Sequence, residues 1–148
     1  MEQGRVPPHS MDAERSVLGA MLQDRNALLL ANEALSPEDF YSPAHREIFT
    51  AMRMLFNQSQ PIDLVTVSNE LTRTGKLDGI GGLDYLIDLT GYVPSTANAR
   101  AYIKIIEEKS TLRKLIDASG TITQESYLGE KEVPEVLELA ERSIYDIA

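Results

Sequence analysis

Along the first part of the chain, apolar residues recur at spacings of three and four, the mark of helices that each bury one face. Ala13, Val17, Leu18, Met21 and Leu22 follow Ser10, a good N-cap, and Asp12 and Glu14 stand where the positive end of a helix dipole favours acids. A first helix is therefore predicted to run to about Gln23. A second is predicted through Ala27 to Leu35, and Ser36-Pro37-Glu38-Asp39 repeats the cap, proline and acid pattern of a helix start. Phe40 and Tyr41 are expected to be buried. Ser42-Pro43 opens the clearest helix, with Ile48, Phe49, Met52, Leu55 and Phe56 on one face and a break from Asn57 to Pro61. Asp63 caps the next, which carries Leu64, Val67 and Leu71, and Gly75 is placed to end it in a left-handed turn. Gly79-Ile80-Gly81-Gly82 reads as a turn, and Leu83, Leu86, Ile87 and Leu89 as a short helix ending near Gly91 and Pro94.

The pattern then changes. From Ser95 to about Tyr127 there is no proline, and Gly120 is the sole glycine, which predicts roughly 32 residues of helix, about 48 Å long. Ala101, Ile105, Leu112, Leu115, Ser119 and Ile122 fall close to a heptad seam, broken by Glu108 and widened by Tyr102 and Ile116. A loop from Leu128 to Val133 and a helix start at Pro134 bring in a matching stripe of Leu137, Ala140, Ile144 and Ile147. The fold class predicted is all-α: a small globular helical head over residues 1–94, with an extended N-terminal arm over 1–9, followed by a long antiparallel helical hairpin over 95–148. A lone helix pair buries little, so one face of the hairpin is expected to meet another chain or the head. Ile105, Leu112, Leu115, Ile116, Ile122, Leu137 and Ile144 are the expected oligomer interface, although any one of them taken singly reads equally well as intrachain core. The periodicity runs to Ala148 without a cap or breaker, which predicts a continuation beyond it.

Composition narrows the chemistry. The 148 residues are 43% hydrophobic with 6% aromatics and no Trp, so the core must rest on aliphatic side chains. A formal charge of -9 argues against a free-standing nucleic-acid binder, which needs a basic footprint. Without cysteine there is no disulfide framework, thiolate metal site or Cys nucleophile. The start lacks a signal-peptide apolar run and no segment approaches a membrane helix, so a cytoplasmic protein without membrane contact is expected. Asp84 and Asp88 lie one helical turn apart, but in an acidic helical chain such pairs are common and a solvated face is the better reading. His9 and His45 are far apart and outside any HExxH pattern, and for His45 a helix-end or partly packed role is expected. Gly79-x-Gly81-Gly82 follows a helix end, Thr72 to Lys76, where a dinucleotide loop would follow a strand, and no GxxxxGK[ST] occurs. No catalytic constellation emerges, and no catalytic, cofactor-binding or metal site is assigned. Charge, in contrast, is segregated. Arg100, Lys104, Lys109, Arg113 and Lys114 stand against Glu107 and Glu108, whereas the stretch from Glu125 to Ala148 holds seven acids against Lys131 and Arg142. A basic helix laid beside an acidic one favours that pairing.

Several strings, in order along the chain, carry a resemblance. Arg5-Val6-Pro7-Pro8-His9-Ser10 precedes Ala13-Glu14-x-Ser16-Val17-Leu18-Gly19; Asp39-Phe40-Tyr41 with His45-Arg46 follows, then Asp63-Leu64-Val65-Thr66-Val67 and Gly81-Gly82-x-x-Tyr85-Leu86, and last Glu107-Glu108-Lys109-Ser110-x-Leu112-Arg113. Singly each is weak, but together they resemble the N-terminal domain of bacterial DnaB-type replicative DNA helicases. The resemblance implies a non-catalytic collar that pairs subunits through its hairpin into dimers, and three dimers into a hexamer, and that receives the C-terminal helicase-binding domain of primase. A helicase loader is a further partner it admits. ATP, Mg and most DNA contact would belong to a RecA-like motor domain absent from this sequence, the ATP-dependent helicase being the parent protein. For primase docking the candidates are Asp12 and Arg15 on the first helix and Asp84, Tyr85 and Asp88 on the helix after the glycines, where exposed charge accompanies an aromatic. Tyr85 reads equally well as core. The competing reading is a stand-alone helical adaptor or regulator that dimerises through its hairpin.

Overall fold

The computed structural model describes residues 5–92 and 95–148, and every regular element among them is helical. The stop expected at Pro94 and the first four residues of the expected arm lie outside the described residues. The chain divides into two compact units: His9–Glu108, and the arm through Pro8 with Lys109–Ala148.

Helix α1 (Met11–Gln23) starts where predicted, with the Ser10 hydroxyl accepting from the Ala13 N–H at 3.1 Å. It is buried on nearly every side, because α2 (Arg25–Ala34), α3 (Pro43–Asn57) and α6 (Gly82–Tyr92) all pack on it. Asp24 caps α2 by accepting from the Asn26 and Ala27 amides. The cap-like Ser36-Pro37-Glu38-Asp39 opens only one 3-10 turn, Pro37–Asp39, whose chain then passes inward at Phe40. Phe40 is fully buried against Phe49 at a ring separation of 5.1 Å, whereas Tyr41 is half-buried and stacks on His9.

Ser42 caps α3, accepting from the His45 amide at 3.3 Å. In α4 (Leu64–Arg73), Asp63 and Thr66 form a reciprocal box, each side chain accepting from the other's amide at 2.9 Å. The stretch read as a glycine turn is in part a single helical turn, α5 (Leu77–Ile80), followed by Gly81 at φ +110 and Gly82 at φ +75. The left-handed backbone there reverses the chain into α6, which buries Leu86 and Leu89 while Leu83 and Ile87 stay exposed. The core joins Val17, Leu18, Leu35, Ile48, Met52 and Val67 to Ile103 and Ile106, so the first turns of α7 (Ala99–Leu128) complete the head's packing.

The other unit holds the remainder of α7 and α8 (Val133–Ile147), which has proline in its first turn as expected. A short connection separates the helices, and across it Lys131 pairs with Glu125 at 2.7 Å. The Arg113 guanidinium donates to the Pro8 carbonyl at 2.7 Å, tying the arm to α7. On α8 the half-buried positions are Val136, Leu139, Ala140, Ser143 and Ile147, one continuous face. On α7 they include Leu115, Ala118, Ile122 and Glu125, again a single face.

Candidate docking surface

Helix α1 turns a narrow strip outward, because Asp12 and Arg15 lie opposite the row Ala13, Val17 and Met21 that enters the core. Helix α6 packs beside that strip, and its register places Tyr85 and Tyr92, seven residues apart, against it. The Arg15 guanidinium lies 3.7 Å from the Asp12 carboxylate and 5.6 Å from the centre of the Tyr92 ring. Tyr92 donates its hydroxyl hydrogen bond to Asp12. Arg15 is held above its ordinary pKa by Tyr85 first and Tyr92 second. Of the five docking candidates, Asp12, Arg15 and Tyr85 thus form one cluster with Tyr92, and Asp84 and Asp88 are exposed along the same helix as Tyr85.

Behind the cluster lies a polar assembly that the sequence reading missed. His45 is completely buried and Glu14 is 1% exposed. One carboxylate oxygen of Glu14 lies 2.7 Å from His45 Nδ1 and 3.3 Å from the Ser42 amide, and the other accepts from the Tyr41 amide at 2.7 Å. His45 Nε2 is hydrogen-bonded to the Tyr85 hydroxyl, and the two rings stack 5.9 Å apart at 15°. Glu14 does stand in the first turn of α1 and His45 at the start of α3, as the sequence suggests, but His45 is fully rather than partly packed and the two are core residues that satisfy one another. A signal was present, since Glu14 lies inside the apolar stripe between Ala13 and Val17. Tyr85 is half-buried, with its ring stacked on His45.

The seven expected interface residues fall into three environments. Ile105 packs against the head core. Leu115 and Ile122 are half-buried on the continuous face of α7. Leu112, Ile116, Leu137 and Ile144 are exposed, at 45%, 53%, 61% and 44%. Among the described residues no group of His, Cys, Asp and Glu is arranged to hold a metal ion, and no helix is long and apolar enough to cross a membrane.

Comparison with known proteins places these features. The family model described as DnaB-like helicase N terminal domain matches residues 6–108. The chain is 46% identical over 144 residues to the replicative DNA helicase DnaC of Bacillus subtilis, covering 97% of this chain but 32% of that protein. It therefore spans about a third of the length of that curated relative. Among solved structures, the N-terminal domain of DnaB helicase from Mycobacterium tuberculosis superposes with a TM-score of 0.90 at 43% identity, covering 95% of this chain and 99% of that one. A DnaB-like replicative helicase whose structure was described with its interactions with primase superposes with a TM-score of 0.77 at 26% identity, covering 94% of this chain and 32% of that one. The all-helical architecture and the co-linear strings agree with these matches along most of the chain, and the protein belongs to the DnaB-like helicase N-terminal domain family.

Proposed function

We propose that this chain is a collar domain of a replicative helicase, working in the cytosol, which assembles subunits and docks the C-terminal domain of primase. Residues 95–148 act as an antiparallel hairpin closed by the half-buried faces of α7 and α8. Leu112, Ile116, Leu137 and Ile144 then meet a second hairpin, pairing two domains, and three such pairs complete a hexameric collar. Leu115 and Ile122 hold the hairpin itself, and Ile105 anchors the start of α7 to the head. ATP and Mg chemistry belongs to the motor portion of the whole helicase. The observation that carries the assembly reading is the set of exposed apolar residues on two helices that each half-bury only one face. Burying it removes apolar area from water at about 25 cal/mol per Å² before association costs.

Docking rests on the Asp12, Arg15, Tyr85 and Tyr92 cluster, an aromatic and charged mixture suited to a polar partner. Its support by likeness is the related helicase described with primase. Sedimentation velocity of the chain, alone and with a bacterial primase C-terminal domain, tests both roles. Concentration-dependent association is expected, weakened at least tenfold by Ile116→Asp with Leu137→Asp, with unchanged helix content. Primase binding is expected to fall on Asp12→Arg or Tyr85→Ala. A monomer at all concentrations overturns the pairing role, and a primase affinity indifferent to both head substitutions overturns the docking site.

A further inference from the structure

Between the end of α2 and the first turns of α7 lies a groove of about 660 Å³, in the size range of clefts that enclose a ligand. Ile103 and Leu30 line it, and it stays open because Ala34, Ala97 and Ala101 bring no more than a methyl group to it. Arg100 and Lys104 stand on its rim, both exposed, and neither has an ion-pair partner among the described residues. At the other end of α7 the chain turns through Gly129, at φ +63, into α8. Tyr127, Leu128 and Val133 are exposed there, at 88%, 52% and 69%. Glu130 and Glu132 are exposed in the same turn, and Lys131 between them is held by Glu125. An apolar groove with a basic rim and an apolar tip with acids thus stand near opposite ends of one helix, so they are not partners within a chain.

The helical period connects both to the residues assigned to pairing. Ala101, Leu112, Ile116 and Tyr127 fall within about 80° of one another around α7. In a two-fold pair, residue i meets j and j meets i. When two α7 helices lie antiparallel with Leu112 facing Ile116 of the second copy, the same register sets Ala101 opposite its Tyr127. Each tip then reaches the other copy's groove.

We propose that the α7–α8 tip of one copy seats in the α2–α7 groove of a second, with Tyr127 and Leu128 against Leu30 and Ala101 and Glu130 and Glu132 beside Arg100 and Lys104. The inference rests on the pairing reading above and adds to it the head groove and the register. Apolar rows alone tolerate a slip by one helical turn. A tip and groove of opposite charge do not, because a slip strands the charges and exposes the aromatic.

The chain has no cysteine, so introduced thiols report the register directly. Ala101→Cys and Ser126→Cys chains, mixed and treated with a short bismaleimide, should give a covalent dimer that neither variant gives alone. Sedimentation velocity supplies the second measurement. Arg100→Glu with Lys104→Glu should weaken self-association about tenfold at low salt, with helix content unchanged. Adding Glu130→Lys and Glu132→Lys to the same chain should restore most of it, since both tip and groove are then reversed. Should the tip changes unwind the start of α8, the cross-link and the groove reversal still decide. Self-association that yields no Ala101–Ser126 cross-link, or that is indifferent to the groove reversal, overturns the contact and leaves pairing standing. A groove reversal that spares self-association but weakens binding of a primase C-terminal domain assigns the groove to primase and overturns the proposal. A chain that is monomeric at all concentrations overturns the pairing reading and this contact with it.

Discussion

His45, with none of its side chain exposed, sets Nδ1 2.7 Å from a carboxylate oxygen of Glu14, itself nearly unexposed. The pair ties α1 to the start of α3 and, through Tyr85, to α6. Removing the carboxylate leaves two backbone donors and one ring donor without an acceptor in the core. Glu14→Ala should therefore lower unfolding stability by about 3–5 kcal/mol. Urea denaturation followed by circular dichroism measures it, and a loss below about 1 kcal/mol would contradict the buried assignment.

Arg53 closes the end of α2 from a distance. Its guanidinium donates to the Asn32 side chain at 3.2 Å and to the carbonyls of Asn32 and Leu35 at 2.8 and 2.7 Å, and lies 5.2 Å over the Phe49 ring. Only a planar fork reaches these acceptors together. Arg53→Lys should cost about 1–2 kcal/mol, and Arg53→Ala more. A Lys variant as stable as the wild type in thermal melts would show the fork to be dispensable.

Gly81 sits at φ +110, and a Cβ built there would stand 2.9 Å from the Cβ of Tyr85. Gly82 is also left-handed, at φ +75, but a Cβ there meets nothing within 4 Å. Gly81→Ala should cost about 1–3 kcal/mol and displace Tyr85. Gly82→Ala should cost less and leave the Tyr85 resonances in place. Equal effects on stability and on Tyr85 in the two variants would mean that backbone strain alone is at work.

Glu70 is held below the ordinary carboxyl value of 4.5 by its hydrogen bonds to Arg73, with burial opposing. The contacts are 3.1 and 2.7 Å. A lowered folded pKa contributes stability that is full above the unfolded value and lost as pH falls through the folded one. The gap in urea midpoint between the wild type and Arg73→Gln should thus be widest near neutral pH and close on acidification below about 4.5. Because Arg73 is well exposed, the gap should be small and shrink with salt. A gap that does not change with pH would assign the effect of Arg73 to packing.

How much of this was legible in the sequence depended on whether the cause was local. Ser10, Ser42 and Asp63 announce helices because a cap is a contact over three residues, written into neighbouring positions. The apolar rows of α1, α3 and α7 follow from one geometric period, whereas Asp12, Arg15 and Tyr85 were docking candidates on helical spacing together with the family resemblance. The division of exposed Ile116 and Leu137 from half-buried Leu115 and Ile122 was not readable, because a stripe does not say which neighbour covers it.

By itself, then, the sequence determined an all-helical chain, the starts of its helices, and the family to which its strings belong. Only the tertiary structure decided that Glu14 is an interior acceptor and His45 its partner. Their spacing of 31 residues, and the 40 from His45 to Tyr85, carries no periodicity that a local reading can detect. A buried charge is tolerated only where donors from several elements converge on it, and that convergence exists only after the helices have packed.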